Sequence, residues 1–148
     1  MLYLCHEITY SEIEPYWDKL WLGRTYEPTS AMCYLGGYHA WAPKRACYYA
    51  ITDEQGKTCG VNSCHDTGNL LVRSRGLWVD PAYRGQGLGQ KLLEFAVDWT
   101  RANGYSALWS YPKLSAWNTY RSVGFERQLD WQVDPDTQQQ NCYAIRFI

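Results

Sequence analysis

The 148 residues contain no apolar run near the roughly 20 needed to cross a bilayer, so no membrane-spanning helix is expected. The chain has almost no net charge, −1 at pH 7 from 14 basic and 15 acidic side chains. Without a basic excess there is no electrostatic case for nucleic acid or an anionic membrane as partner. The N-terminus, Met1-Leu2-Tyr3-Leu4-Cys5-His6-Glu7, lacks the basic stretch and long apolar core of a secretory signal. None of the six cysteines (Cys5, Cys33, Cys47, Cys59, Cys64, Cys142) forms a C-x-x-C pair. Cys59 and Cys64 sit close before His65, but their five-residue step does not match the paired ligands of a zinc knuckle. The cysteines therefore read as buried thiols of a cytoplasmic protein, and no metal is expected. Low-complexity tracts are also absent, and the length suits one domain over residues 1–148.

Against these absences stand eight Trp and thirteen Tyr. Large side chains with a polar tip suit both cores and the walls of small-molecule sites. The most organised stretch runs from Leu77 to Gly104. An apolar strand ends at Asp80-Pro81. The loop Arg84-Gly85-Gln86-Gly87-Leu88-Gly89 follows, and an amphipathic segment grows directly from it. Alternate glycines before a helix leave backbone N–H groups open to an anion, since no Cβ intervenes.

Taken in order, Leu2 to Ile8 reads as a strand. Ser11 and Glu14 form a candidate capping box for a helix carrying Ile13, Trp17, Leu20 and Trp21 on one face. Pro15 suits a first helical turn, which would start the helix later, and Gly23 suits its end. Between Arg24 and Arg45 punctuation dominates, with a short helix expected after Thr29 or Ser30. Ala46–Thr52, Thr58–His65 and Leu70–Val79 read as a three-strand meander, turning at Asp53–Lys57 and at Asp66–Gly68. Leu88, Leu92, Leu93, Ala96 and Trp99 make the apolar stripe of a helix lying on a sheet. Tyr105–Ser110 reads as a strand parallel to the one before that helix. Ser115–Ser122 reads as a short helix stopped by Gly124. Phe125–Val133 and Asn141–Phe147 read as a last hairpin. The expected class is α+β, with a mostly antiparallel sheet of six to seven strands and about four helices.

Three loop types compete for residues 84–89. A Walker loop requires Lys-Ser/Thr after its last glycine, and none follows. The dinucleotide pattern G-x-G-x-x-G fails at Gln90, and Ser110-Tyr111 offers no acidic residue for a ribose. What remains is R-x-x-G-x-G at Arg84, Gly87 and Gly89, after Val79-Asp80-Pro81. After the next strand comes Ala116-Trp117-Asn118-Thr119-Tyr120-Arg121-Ser122-Val123-Gly124-Phe125. The two blocks, in this order and with one helix and one strand between them, resemble the GNAT superfamily of acetyl-CoA-dependent N-acetyltransferases. The resemblance is close over residues 69 to 126 and extends elsewhere only in element order.

The resemblance implies acetyl-CoA as co-substrate and a primary amine of a small-molecule or amino-acid-like acceptor, acetylated by direct attack in a ternary complex. It implies that Arg84, Gly85, Gln86, Gly87, Leu88 and Gly89 hold the pyrophosphate. The pantetheine arm would pair with Leu77, Trp78 and Val79 as an added strand, provided that strand splays from Ala107–Ser110. Tyr120 stands where the family has the tyrosine facing the sulfur. Lys113 stands where the family often has an asparagine on the coenzyme arm, so it either reaches a CoA phosphate or faces solvent.

The base is the departure. Where many relatives carry glutamate, eleven positions before the loop arginine, this chain has Arg73, with Arg75 on the same side of the strand. A guanidinium is no base at neutral pH. Neutralising a lysine-like ammonium at pH 7 costs about 4.6 kcal/mol, so a proton acceptor matters. Either a water chain or one of His65, Glu126 and Asp130 serves, or the acceptor carries an anion that Arg73 and Arg75 grip. The plain alternative leaves both arginines solvated. Two functional classes follow: the N-acetyltransferase, and a catalytically silent acyl-CoA-binding module on the same fold. The aromatic C-terminal hairpin is a candidate for pairing between subunits of a homodimer.

Overall fold

Apolar alternation in the middle strands builds two cores on opposite faces of one sheet. The computed structural model describes residues 2–21, 45–135 and 137–148. In strand β2 (Ala46–Thr52), Cys47, Tyr49 and Ile51 point to one face, while Tyr48 and Ala50 point to the other. The first set packs under the long helix α2 (Leu88–Ala102) through Leu88, Leu92, Leu93, Ala96 and Val97. The second packs under helix α1 (Tyr10–Leu20) through Ile13 and Trp17. A strand buried on both faces loses simple polar alternation, which is why β2 reads as almost continuous apolar sequence.

The main sheet has seven strands in the order β1-β2-β3-β4-β5-β9-β6. Strands β1 (Leu4–Ile8), β2, β3 (Thr58–Gly68) and β4 (Leu71–Val79) are antiparallel neighbours. Strand β5 (Ala107–Ser110) runs parallel to β4, as a strand–helix–strand unit requires. Strand β9 (Ala144–Phe147) pairs antiparallel with β5, and β6 (Glu126–Arg127) pairs with β9. A separate pair is formed by β7 (Gln132–Val133) and β8 (Gln140–Asn141). A third helix, α3 (Trp117–Ser122), follows a tight turn at Leu114–Ala116. This is the expected mixed, mostly antiparallel architecture, with three helices among the described residues instead of about four.

Several local expectations are corrected. The capping box is Thr9 with Glu12, two residues earlier than the Ser11–Glu14 reading. Thr9 precedes the first helical residue, so its hydroxyl reaches the Glu12 N–H, and Pro15 lies inside the helix rather than at its start. Strand β3 continues through Asp66–Gly68, and the turn falls at Asn69-Leu70, both at positive φ. Two consecutive left-handed residues suit a two-residue hairpin, but leucine gives no sequence signal for one. The last hairpin is broken into two short pairs, β6–β9 and β7–β8. Gly23 and the helix expected after Thr29 or Ser30 lie outside the described residues. No helix among the described residues is long and apolar enough to cross a membrane.

Candidate active site

The central feature is where β4 and β5 part. They pair at Leu71↔Ala107, Val72↔Leu108 and Arg73↔Trp109, and no further. At the next rung a side chain replaces the backbone: Ser110 Oγ donates to Ser74 O at 2.7 Å. Beyond it, β5 leads into a segment held on its far side, where Asn141 Nδ2 donates to Tyr111 O and Cys142 N–H donates to Pro112 O. Among the described residues, β4 from Arg75 to Val79 therefore has a strand partner only on its β3 side. The unpaired edge offers main-chain groups to an extended ligand.

A bulge aims that edge. Val61 pairs with Trp78 and Ser63 with Arg75, so Asn62 faces both Gly76 and Leu77. Gly76 lies at φ +85°, and a Cβ there would come within 2.2 Å of the Trp17 indole nitrogen. That indole instead donates to Gly76 O at 2.9 Å. The extra residue changes which face the strand presents. Val72 before the bulge and Leu77 and Val79 after it all contact the α2 core, whereas Trp78 joins the α1 core.

The opening between the strands is a cleft of about 470 Å³, lined by Arg73, Arg75, Leu77, Lys113 and Tyr120 among others. Five of the residues singled out in the sequence thus meet in one place. Tyr120 is buried against the α2 core, its ring edge-on to Phe125 at 5.2 Å between centroids. Burial raises its phenol above the ordinary tyrosine value, while the Ser110 hydroxyl and the Arg73 charge pull the other way. Ser110 ends a chain of buried polar groups. Asn62 Nδ2 donates to Ser74 Oγ at 2.9 Å and to Tyr49 Oη at 2.8 Å, and Tyr49 donates to Leu92 O at 2.6 Å. This chain ties helix α2 to the parting point beside Tyr120.

The glycine loop lies at the other end of β4. Gly85 and Gly87 adopt φ of +80° and +76°, and a Cβ on either would meet nothing within 4 Å. Their conformation, not crowding, favours glycine here. Gly89 differs: its Cβ would stand 3.3 Å from Thr119 Cγ2, so it permits close approach of α2 to α3. Gly87 precedes the first turn of α2 and has no side chain to cap that end, which leaves N–H groups open to an anion. The loop is braced from three sides. Asp80 caps its Pro81–Tyr83 turn by accepting from Ala82 N–H. Tyr83 donates to Asp53, and Tyr3 donates to Gln86. Arg84 Nε donates to Val79 O at 3.2 Å, so the arginine folds back over the strand end.

The candidate bases are dispersed. His65 is 1 % exposed and pairs in register with Arg73, and burial beside two guanidinium groups pushes it down to about 3. Glu126 and Asp130 are exposed, on and just after β6. Among the described residues, Asp134 is the one carboxylate lining the cleft. Among the described residues, no group of three His, Cys, Asp or Glu side chains could hold a metal ion. Sequence reasoning missed Ser74, Ser110 and Asn141. Ser74 had left a signal, a polar residue at a core-facing position between Val72 and the bulge.

Comparison with known proteins agrees with this geometry. The model of the family described as "Acetyltransferase (GNAT) domain" matches residues 44–127, more than half of the chain. The chain belongs to the GNAT acetyltransferase family. Solved structures share the fold at low identity. A GNAT-family acetyltransferase from Staphylococcus aureus Mu50 aligns with TM-score 0.75 and 13 % identity, covering 99 % of each chain. An IAA acetyltransferase from Bacillus cereus ATCC 14579 aligns with TM-score 0.73 and 16 % identity, covering 99 % of this chain and 100 % of that one. The ribosomal-protein-S18-alanine N-acetyltransferase from Escherichia coli aligns with TM-score 0.73 and 17 % identity, covering 99 % and 94 %. At such identities the likeness is one of fold. No curated protein sequence matches the chain.

Proposed function

We propose that the protein transfers an acetyl group from acetyl-CoA to the primary amine of a small acceptor, within a ternary complex. The observation that carries this reading is the parting of β4 and β5 after Arg73 and Trp109, with Tyr120 lining the opening. In this reading the glycine loop and the first turn of α2 hold the pyrophosphate. Arg84 is close enough to the strand end to add charge when it releases Val79 O. The pantetheine arm lies along the unpaired edge of Leu77, Trp78 and Val79. Trp78 takes part through its backbone, since its side chain is buried in the α1 core. Lys113 lines the cleft and is exposed, and in this reading it meets the coenzyme.

Acetyl-CoA supplies the activated acyl group. The amine nitrogen attacks the thioester carbonyl carbon, the C–S bond breaks, and the proton lost from nitrogen completes the CoA thiol. Main-chain N–H groups at the end of β4 polarise the carbonyl. Tyr120 hydrogen-bonds the departing sulfur. Full proton transfer from a phenol near 10 to a thiolate near 8.5 is mildly uphill, and burial makes it more so. Its contribution is therefore a charge-assisted hydrogen bond. The test is a mass-spectrometric screen of amines with acetyl-CoA, comparing the wild-type protein with Tyr120→Phe. A mass gain of one acetyl group on an amine, reduced about 10- to 100-fold in kcat by the substitution, the range of a charge-assisted hydrogen bond, supports the reading.

A further inference from the structure

The acceptor end of the cleft has an unusual charge. Arg73, Arg75 and Lys113 line it, against the single carboxylate of Asp134 among the described residues. Asp134 is itself engaged, accepting from the Thr137 N–H. The chain as a whole is nearly neutral, so this excess among the described lining residues is not a reflection of composition. A cationic wall repels a simple alkylammonium ion, and an acetyl acceptor must bring an amine there.

Arg73 is the best-defined of these cations. It sits at the last paired rung of β4, where the strands part. Its guanidinium carbon stands 4.8 Å from the centre of the Trp109 ring. Trp109 is itself held, donating from Nε1 to Thr67 Oγ1 at 2.9 Å. The arginine therefore rests on a fixed aromatic platform, a setting that uses its planar shape. Among the described residues no carboxylate pairs with it, and its buried Nε has no hydrogen-bond partner. From β3 the facing group is His65, whose two ring nitrogens are likewise buried and unpartnered. Desolvation also holds Arg73 below the usual arginine value. On the other side of the cleft, Asn141 lines the wall and its buried Oδ1 lacks a donor. A half-buried guanidinium without an anion and a buried amide oxygen without a donor are both costly unless a ligand satisfies them.

We infer that the acceptor is amino-acid-like: a small molecule whose carboxylate is held by Arg73 on its Trp109 platform, with its amine directed at the opening beside Tyr120. This rests on the acetyl-transfer reading above and specifies its substrate class. Arg75, on the same face and over the Trp21 ring, adds charge to the same end of the cleft. The positive wall acts on the amine too, because nearby cations favour its neutral, nucleophilic form.

The test pairs amino acids with their primary amides and with the matching decarboxylated amines. Acetylation is followed by mass spectrometry, and binding by thermal shift in the presence of CoA. The carboxylate-bearing acceptors should show kcat/KM about 30-fold or more above their amides, the range of a charged hydrogen-bonded contact. Arg73→Met should collapse that ratio to within about 3-fold while moving the acetyl-CoA KM less than 2-fold, and Arg73→Lys should keep part of it. Equal use of acids and amides by the wild type would overturn the inference and leave acetyl transfer standing. Carboxylate-dependent stabilisation that disappears in Arg73→Met, with no amine acetylated, would support the anion site and overturn acetyl transfer. Neither acetylation nor carboxylate-dependent binding would overturn both.

Discussion

His65 carries its ring through the fold uncharged. Its folded value is about 3 against 6.5 for the free side chain, so between those values the unfolded chain binds more protons than the folded one. Stability from this residue is therefore fully present above about pH 6.5 and is lost as pH falls toward 3. The loss between pH 7 and pH 5 should be about 2 kcal/mol. Urea unfolding at pH 7 and pH 5 checks this: His65→Gln should flatten the difference between the two pH values, and an unchanged difference would assign the acid sensitivity elsewhere. Tyr120 and Arg73 make the contrast between what single residues reveal in sequence. The place of Tyr120 at the cleft was legible because a motif surrounds it. The tryptophan under Arg73 was not, because Trp109 comes from a different strand and only the register Arg73↔Trp109 brings them together. His65 was visible as a candidate base; that it lies buried beside two guanidinium groups is a fact of strand pairing that no spacing encodes.

At the scale of elements, the β4 bulge decides how the cleft is lined. Gly76→Ala meets two obstacles at once, a positive φ and the indole of Trp17 at 2.2 Å from the new Cβ. It should cost about 2–4 kcal/mol in denaturant unfolding. Gly56→Ala shares the positive φ but meets nothing within 4 Å, so its cost should stay near 1 kcal/mol. Equal losses would mean that backbone strain alone, and not the seating of Trp17, sets the requirement at Gly76. The buried polar chain makes a second prediction. Asn62→Ala leaves Tyr49 Oη and Ser74 Oγ without their amide donor and should destabilise by about 1–3 kcal/mol. The meander, the long helix and the parallel β5 were all legible, because their apolar periodicity is strong and their ends are marked by Gly and Pro. The helix start at Thr9, the Asn69-Leu70 turn and the broken final hairpin were not. Each depends on a hydrogen bond or a twist that overrides local residue preference, as Leu70 at φ 61° illustrates.

For the whole molecule, the two cores and the sheet between them hold, in the proposed reading, a coenzyme end and an acceptor end on one strand. The glycine loop lies past the C-terminal end of β4, and the proposed acceptor end, with Arg73 and Arg75, lies where β4 leaves β5. The glycine pattern of the loop and its place before α2 were legible in the sequence because they are contiguous. The proposed acceptor end draws on β4, on β5 and on Asp134, Thr137, Gln139 and Asn141, so its composition emerges only from the topology. Coenzyme binding alone should stabilise the fold, by about 2.7 kcal/mol at a hundred times the dissociation constant. That shift would be shared by an enzyme and by a silent acyl-CoA-binding module, so it does not separate them. The separating measurement is the mass spectrum of an amine panel incubated with acetyl-CoA and the protein. Acetylation of an amine-bearing acid, strongly diminished in Tyr120→Phe, is the expected result. A clear acetyl-CoA thermal shift with no amine modified by the wild-type protein would contradict it.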